Sequence, residues 1–165
     1  IVVGGEVYKG HNLYAGEASM IYLETPGSAS MADGSFAGAC STISLNAQVA
    51  AAKGVEALTG EQVFEMIEAG DAQACAAFEA FCATCAREIH NIQCLIDPER
   101  ICLGGGVSQN PFFVKSVKEA VEKFNGALPF PFPNPEIVPC KYFNDANLIG
   151  AYQHFLRMRR KRAAA

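Results

Sequence analysis

The segment Ile101 to Phe113, ICLGGGVSQNPFF, sets three consecutive glycines between an apolar run and a helix-like one. Glycines at such a junction let bare backbone approach a ligand, and amides at a helix N-terminus favour anions such as phosphate. Gly104, Gly105, Gly106 and the nearby Ser108 are therefore candidate nucleotide contacts. The pattern is not a dinucleotide fingerprint: G-G-G-V-S-Q-N departs from G-x-G-x-x-G, and no strand-end acid follows about 20 residues on. It is not a Walker loop either, because the Gly-Lys-Ser/Thr ending is missing. A purely structural turn is the competing reading.

Seven cysteines, an odd number without the spacing of a small secreted scaffold, point to reduced thiols. Cys82-x-x-Cys85 has the spacing of a metal or redox pair. In a helix, however, Cys75, Phe78, Cys82, Cys85 and Ile89 share one face, and neither a second CxxC nor a suitably spaced histidine follows. The pair is assigned to the core, with cysteine acting as a small apolar side chain.

The elements that must position these groups begin with strands. IVV and EVYKG flank Gly4-Gly5, a dipeptide suited to a hairpin turn, and SMIYLE is a third run of strand length, which predicts an antiparallel meander. Residues 26 to 38 read as a loop. Ser41 or Thr42 caps a helix that stops at Gly54, and Thr59 with Gln62 forms a capping box for the next. Asp71 caps a long helix that Asp97-Pro98 ends near Ile96. RICLGG reads as a short buried strand, and Pro111 opens another helix. Five prolines between Leu128 and Pro139 exclude helix there and leave EIVPCKY as an edge strand. A last helix, starting near Asn144, turns Ala146, Ile149, Tyr152 and Phe155 inward. A meander followed by alternating helices and strands predicts a three-layer α/β domain.

Composition agrees with one soluble globular domain: 165 residues, 50% hydrophobic and 18% charged, too apolar for a disordered chain. No apolar run is long enough for a membrane span and the start, IVVGGEVYKG, lacks the features of a signal peptide, so a cytoplasmic location is expected. Arg157, Arg159, Arg160, Lys161 and Arg162 concentrate the positive charge, leaving 8 basic against 17 acidic residues before them, a net of -9. That balance argues against a nucleic-acid surface on the body of the protein. The basic tail reads as a solvated helix C-terminus, where cations complement the macrodipole.

Three segments, EVYKGHNLYAGEASM, IDPERICLGGGVSQ and NDANLIGAYQHF, resemble in order and spacing those of the ROK family of bacterial sugar kinases and sugar-responsive repressors. They are similar to that family's G-K-L-Y-x-G-x-x-x-x-A-G-E-x-G-H, D-P-x-x-I-x-x-G-G-G-V-S and N-x-A-x-x-x-G-A stretches, and the resemblance spans nearly the whole chain. It implies an α/β, actin-like ATPase (ribonuclease H-like) fold, a mixed sheet with helices on both faces, with residues 1–165 as the C-terminal lobe. It also implies that the N-terminal lobe, which carries a phosphate-binding loop and the catalytic aspartate, is absent from this chain. No catalytic residue is then expected here.

By the same resemblance, Glu17 in AGE accepts hydrogen bonds from sugar hydroxyls and orients the substrate for phosphoryl transfer. His11 and Asn12 would line the sugar pocket. Gly104, Gly105, Gly106 and Ser108 would meet the adenosine and phosphates of ATP, bound with Mg2+. Where the family continues with Gly-His this chain has Ser19-Met20, and the family's zinc-binding cysteine cluster is missing. The resemblance is accordingly to a zinc-less branch, with no metal ligands expected. NDAN, Asn144 to Asn147, looks like the first-lobe tetrapeptide that holds the catalytic aspartate. Its position after the glycine turn instead makes Asp145 a helix cap or first-turn acid.

Two functions compete. One is the C-terminal lobe of an ATP-dependent sugar kinase acting on a hexose-type hydroxyl, inactive as a fragment; the other is the sugar-sensing domain of a repressor. Missing zinc ligands tilt the reading towards the kinase. A homodimer through this lobe is expected, with no membrane partner and no nucleic acid bound by it.

Overall fold

The computed structural model describes residues 1–23 and 34–163, which divide into two compact units, Ile1–Thr84 and Cys85–Ala165. The first unit opens with a hairpin of β1 (Val2–Val3) and β2 (Glu6–Val7), antiparallel, with Val2 opposite Val7. Its turn needs two residues in the left-handed region, and Gly4 and Gly5 supply them at φ 59° and 78°. The expected third strand, whose last residue Glu24 lies outside the described ones, does not form across residues 19–23. Residues Ala18–Met20 make a 3-10 turn, and Tyr22 forms only a single bridge to Ser35. The amides of Ala18 and Met20 donate locally, to the carbonyls of Gly16 and Glu17, so they are lost to a strand ladder. Much of the expected 26–38 loop lies outside the described residues. Its end is helical: α1 (Phe36–Cys40) starts where Ser35 Oγ accepts from the Gly38 amide at 3.1 Å.

The next three helices follow their caps. Ser41 caps α2 (Thr42–Lys53), and Gly54 ends it at φ 67°. Thr59 and Gln62 form the reciprocal capping box of α3 (Gly60–Glu68), with bonds of 3.2 and 2.9 Å. Asp71 Oδ1 accepts from the Gln73 and Ala74 amides at the head of α4 (Ala72–Ile96). Lys53, at the end of α2, pairs with the same carboxylate. That hydrogen bond, reinforced by the Ala74 amide, holds the Asp71 carboxyl below its usual range. Leu45 and Val49 of α2, Val63 and Ile67 of α3, and Ala74, Phe78 and Phe81 of α4 are buried, and Phe64 meets Phe78 edge-on at 5.6 Å. Burial of this kind contributes about 1.5–3 kcal/mol for each large apolar side chain. Cys82 and Cys85 are also buried, and burial pushes the Cys82 thiol up to about 12. The CxxC pair is part of the core.

Helix α4 runs on into the second unit and stops at Ile96, before Asp97-Pro98. There β3 (Arg100–Leu103) lies parallel to β4 (Glu136–Pro139), with Ile101 opposite Ile137, and Arg100 is bound to Glu136 at 2.7 Å. Parallel and antiparallel pairings thus both occur, divided among the described residues between two two-stranded sheets. The buried strand expected at RICL instead alternates exposed and half-buried residues. Helix α5 (Pro111–Gly126) packs against β4 and buries Phe113, Val114, Val117 and Val121. The final helix, α6 (Ala146–Ala163), departs from expectation. Its supposed inward residues Tyr152 and Phe155 are 60% and 55% exposed. The main neighbour of α6 within its unit is the short turn Phe143–Asp145, which is too small to cover that stripe. No described helix is long and apolar enough to cross a membrane.

Candidate functional site

His11, Asn12 and Glu17 lie on one loop of the first unit, and all three are exposed. The loop is folded back on itself by backbone contacts. The Ala15 amide donates to the Lys9 carbonyl at 3.2 Å, and a Cβ on Gly10 would lie 3.0 Å from the Ala15 methyl group. Gly16, at φ 86°, is similarly pressed against Ile1, whose nitrogen would be 3.3 Å from an added Cβ. A larger residue at either position would be strained at these positive φ values and would push its neighbour aside by a few tenths of an ångström. Glu17 is thereby set at the mouth of the 3-10 turn Ala18–Met20. Ser19, which occupies one of the two positions where Gly-His was expected, donates its hydroxyl to Glu17 Oε1. One carboxylate oxygen is held, and among the described residues no group donates to the other. Sequence alone did not assign Ser19 this role, because a serine two residues after an acid carries no signal until the turn is seen.

Gly104, Gly105, Gly106 and Ser108 come together in the second unit, where β3 gives way to the 3-10 turn Gly106–Gln109. Gly105 has φ 80° and ψ 174°, a conformation essentially confined to glycine. No described group accepts from the amides of Gly105 or Gly106. Gly104 packs ordinarily against Cys140, whereas a Cβ on Gly106 would lie 3.1 Å from Asn144 Nδ2. Asn144 therefore braces the turn. It is a site residue that the focus on Asp145 overlooked, and the only sequence signal for it is the glycine it requires 38 positions earlier.

Two expectations about this turn change. Ser108 is buried, and its hydroxyl donates inward to the Gly105 carbonyl at 2.7 Å, so it holds the turn together rather than facing a ligand. The amides at the head of α5 are not open to an anion either. Pro111 has none, and those of Phe112 and Phe113 donate to Asn110 Oδ1 at 2.9 and 3.4 Å. Asp145 closes the turn Phe143–Asp145 immediately before α6, in the helix-entry position expected of it. Among the described residues no group of three or more His, Cys, Asp or Glu side chains could hold a metal ion.

The model of the ROK family matches residues 1–157. The chain belongs to the ROK family. It is 28% identical over 159 residues to a beta-glucoside kinase of Listeria monocytogenes, covering 95% of this chain and 52% of that protein. A beta-glucoside kinase of Klebsiella pneumoniae is 26% identical over 166 residues, 54% of its length. Among solved structures, a ROK family protein from Streptococcus pneumoniae in complex with sucrose superposes with a TM-score of 0.88 at 31% identity, over 97% of this chain and 54% of that one. A ROK family glucokinase from Streptomyces griseus, in complex with glucose and AMPPNP, has a TM-score of 0.76 at 20% identity over 91% of this chain and 54% of its own, a likeness of fold. The fold is that of the actin-like ATPases, and this ROK chain spans about half the length of the relatives it matches.

Proposed function

We propose that this ROK chain is the C-terminal lobe of an ATP-dependent sugar kinase, with β-glucosides as the first substrate class to test. The observation that carries the reading is the similarity to beta-glucoside kinases across 159 residues, which includes the Glu17 loop and the glycine turn. Glu17, aligned by Ser19, accepts from sugar hydroxyls and orients the ring, and His11 and Asn12 border it. The geometry of the glycine turn fits a nucleotide: unpaired amides at Gly105 and Gly106 face no side chain of their own, and Gly105 has open space where a Cβ would stand. ATP, with Mg2+, supplies the phosphoryl group when bound. Ser108 and Asn144 keep the turn in shape.

The chain contributes binding and orientation but no general base, so the 165 residues alone turn nothing over. The working protein is cytoplasmic and a homodimer. Support for self-association comes from the hairpin, where Val2, Val3 and Val7 are 68%, 64% and 59% exposed. The test is an ATP-coupled phosphorylation assay with cellobiose, run on the full-length protein and on this chain. Transfer by the full-length protein alone is the expected result. A full-length protein that binds sugar and operator DNA without transferring phosphate would replace the kinase with the repressor.

A further inference from the structure

The second unit also holds a histidine for which the kinase reading has no use. His90 and Cys94 stand one turn apart on α4, with Cys94 Sγ 3.4 Å from His90 Nε2. The other ring nitrogen, Nδ1, lies 2.8 Å from Asn125 Oδ1, and Asn125 Nδ2 donates to Asn134 Oδ1 at 2.7 Å. That bond is made with the Asn125 amide assigned with Nδ2 towards Asn134. Asn125 Oδ1 then faces the imidazole and can only accept, so Nδ1 carries the proton. In the neutral ring Nε2 is then a lone pair aimed at Cys94. The imidazole is held in place by Phe132 and Phe124, whose ring centroids are 4.4 and 5.2 Å away, and Asn125 is buried at 4% exposure. Cys94 is exposed. A hollow of about 400 Å³ is lined by Asn125, Phe132 and Asn134 on the far side of this network, so a reagent reaches Cys94 from solvent through its own exposed face.

We propose that Cys94, His90 and Asn125 form a thiol-modification site that exchanges with small-molecule disulfides. Asn125 fixes the tautomer, His90 is the base and Cys94 the nucleophile, a nucleophile–base–orienter arrangement. The Cys94 S–H proton passes to His90 Nε2 as Sγ attacks one sulfur of R–S–S–R. A Cys94–S–S–R bond forms, the original S–S bond breaks, and the departing sulfur takes the proton from Nε2 and leaves as R–SH. Cys94 is oxidised and one R–S group reduced, so the exchange balances. Five of the other six cysteines lack this setting. Cys82 and Cys85 are buried, Cys75 donates to the Ile67 carbonyl, and burial pushes the Cys140 thiol up. Cys102 is exposed like Cys94 but touches no histidine among the described residues, which makes it an internal reference.

The test treats the 165-residue chain with less than one equivalent of cystamine and follows each cysteine by peptide mass spectrometry at early times. Cys94 is expected to react about tenfold faster than Cys102 or more. His90→Asn keeps a donor for Asn125 but removes Nε2, and should lower the Cys94 rate about tenfold while leaving Cys102 unchanged. Equal rates at Cys94 and Cys102 in the unaltered chain would overturn the proposal, as would an unchanged ratio in His90→Asn. If that variant unfolds, which labelling of Cys82 and Cys85 would reveal, the ratio in the unaltered chain decides by itself.

Discussion

The loop at residues 10–20 and the turn at residues 104–110 are both shaped by glycine, yet they present opposite surfaces. In the loop, Gly10 and Gly16 bring the backbone close to Ala15 and Ile1, and the polar side chains of His11, Asn12 and Glu17 point out. In the turn, the side chains of Ser108 and Asn110 are spent on the backbone, and what faces outward is glycine amide. A ligand with many hydroxyls needs directional acceptors such as a carboxylate, whereas a phosphate chain is held by backbone N–H groups that no side chain crowds. The two regions should therefore fail differently when altered.

A defect in the scaffold sets the upper end of the scale. Leu45→Ala empties a fully buried position and should destabilise the protein by about 2–5 kcal/mol, seen as a lower Tm, with sugar and ATP kinetics unchanged in the fraction that stays folded. Next comes Gly105→Val in the full-length protein. Forcing a branched side chain to φ 80° and ψ 174° costs about 1–3 kcal/mol of backbone strain. The turn should relax to relieve that strain, and re-forming it on binding should, at ~1.4 kcal/mol per tenfold, appear as a roughly 5- to 100-fold lower kcat/KM for ATP. A loss confined to the sugar would break the contrast between the regions. Ser19→Ala sharpens it from the other side. Releasing one oxygen of Glu17 should raise the sugar KM by a few-fold, roughly the 0.5–1.5 kcal/mol of one hydrogen bond, with the KM for ATP unmoved.

The smallest effect is a pH dependence outside both regions. The Asp71 carboxyl titrates below its ordinary 3.8 in the folded chain because Lys53 hydrogen-bonds it, so it contributes stability above that value and loses it as pH falls through the lower folded value. The Tm difference between the unaltered chain and Asp71→Asn should be full at neutral pH and close towards zero in acid. A constant difference across that range would assign the effect to the helix cap alone.

How much of this was legible beforehand follows the range of the interactions. Ser41, Thr59 with Gln62, and Asp71 announced their helices because a cap is local chemistry between residues two or three apart. SMIYLE is cut down to a single bridge because the turn after Glu17 takes the amides of Met20 and Ile21, which apolar content does not reveal. Tyr152 and Phe155 have helical spacing, but periodicity identifies a stripe and not what covers it. The glycine turn was readable as exposed backbone between a strand and a helix, while the contacts across long sequence distances were not: Asn144 meets Gly106 in the turn, and Asn125 meets His90 elsewhere in the unit, across 38 and 35 residues.

The most direct test of the division of labour is steady-state kinetics of full-length Glu17→Gln, with sugar and ATP varied in turn. Loss of a charged acceptor should lower kcat/KM for the sugar by about 10- to 100-fold and leave the KM for ATP within about twofold. Equal losses for both substrates, or no loss for the sugar, would contradict the assignment of Glu17 to sugar recognition.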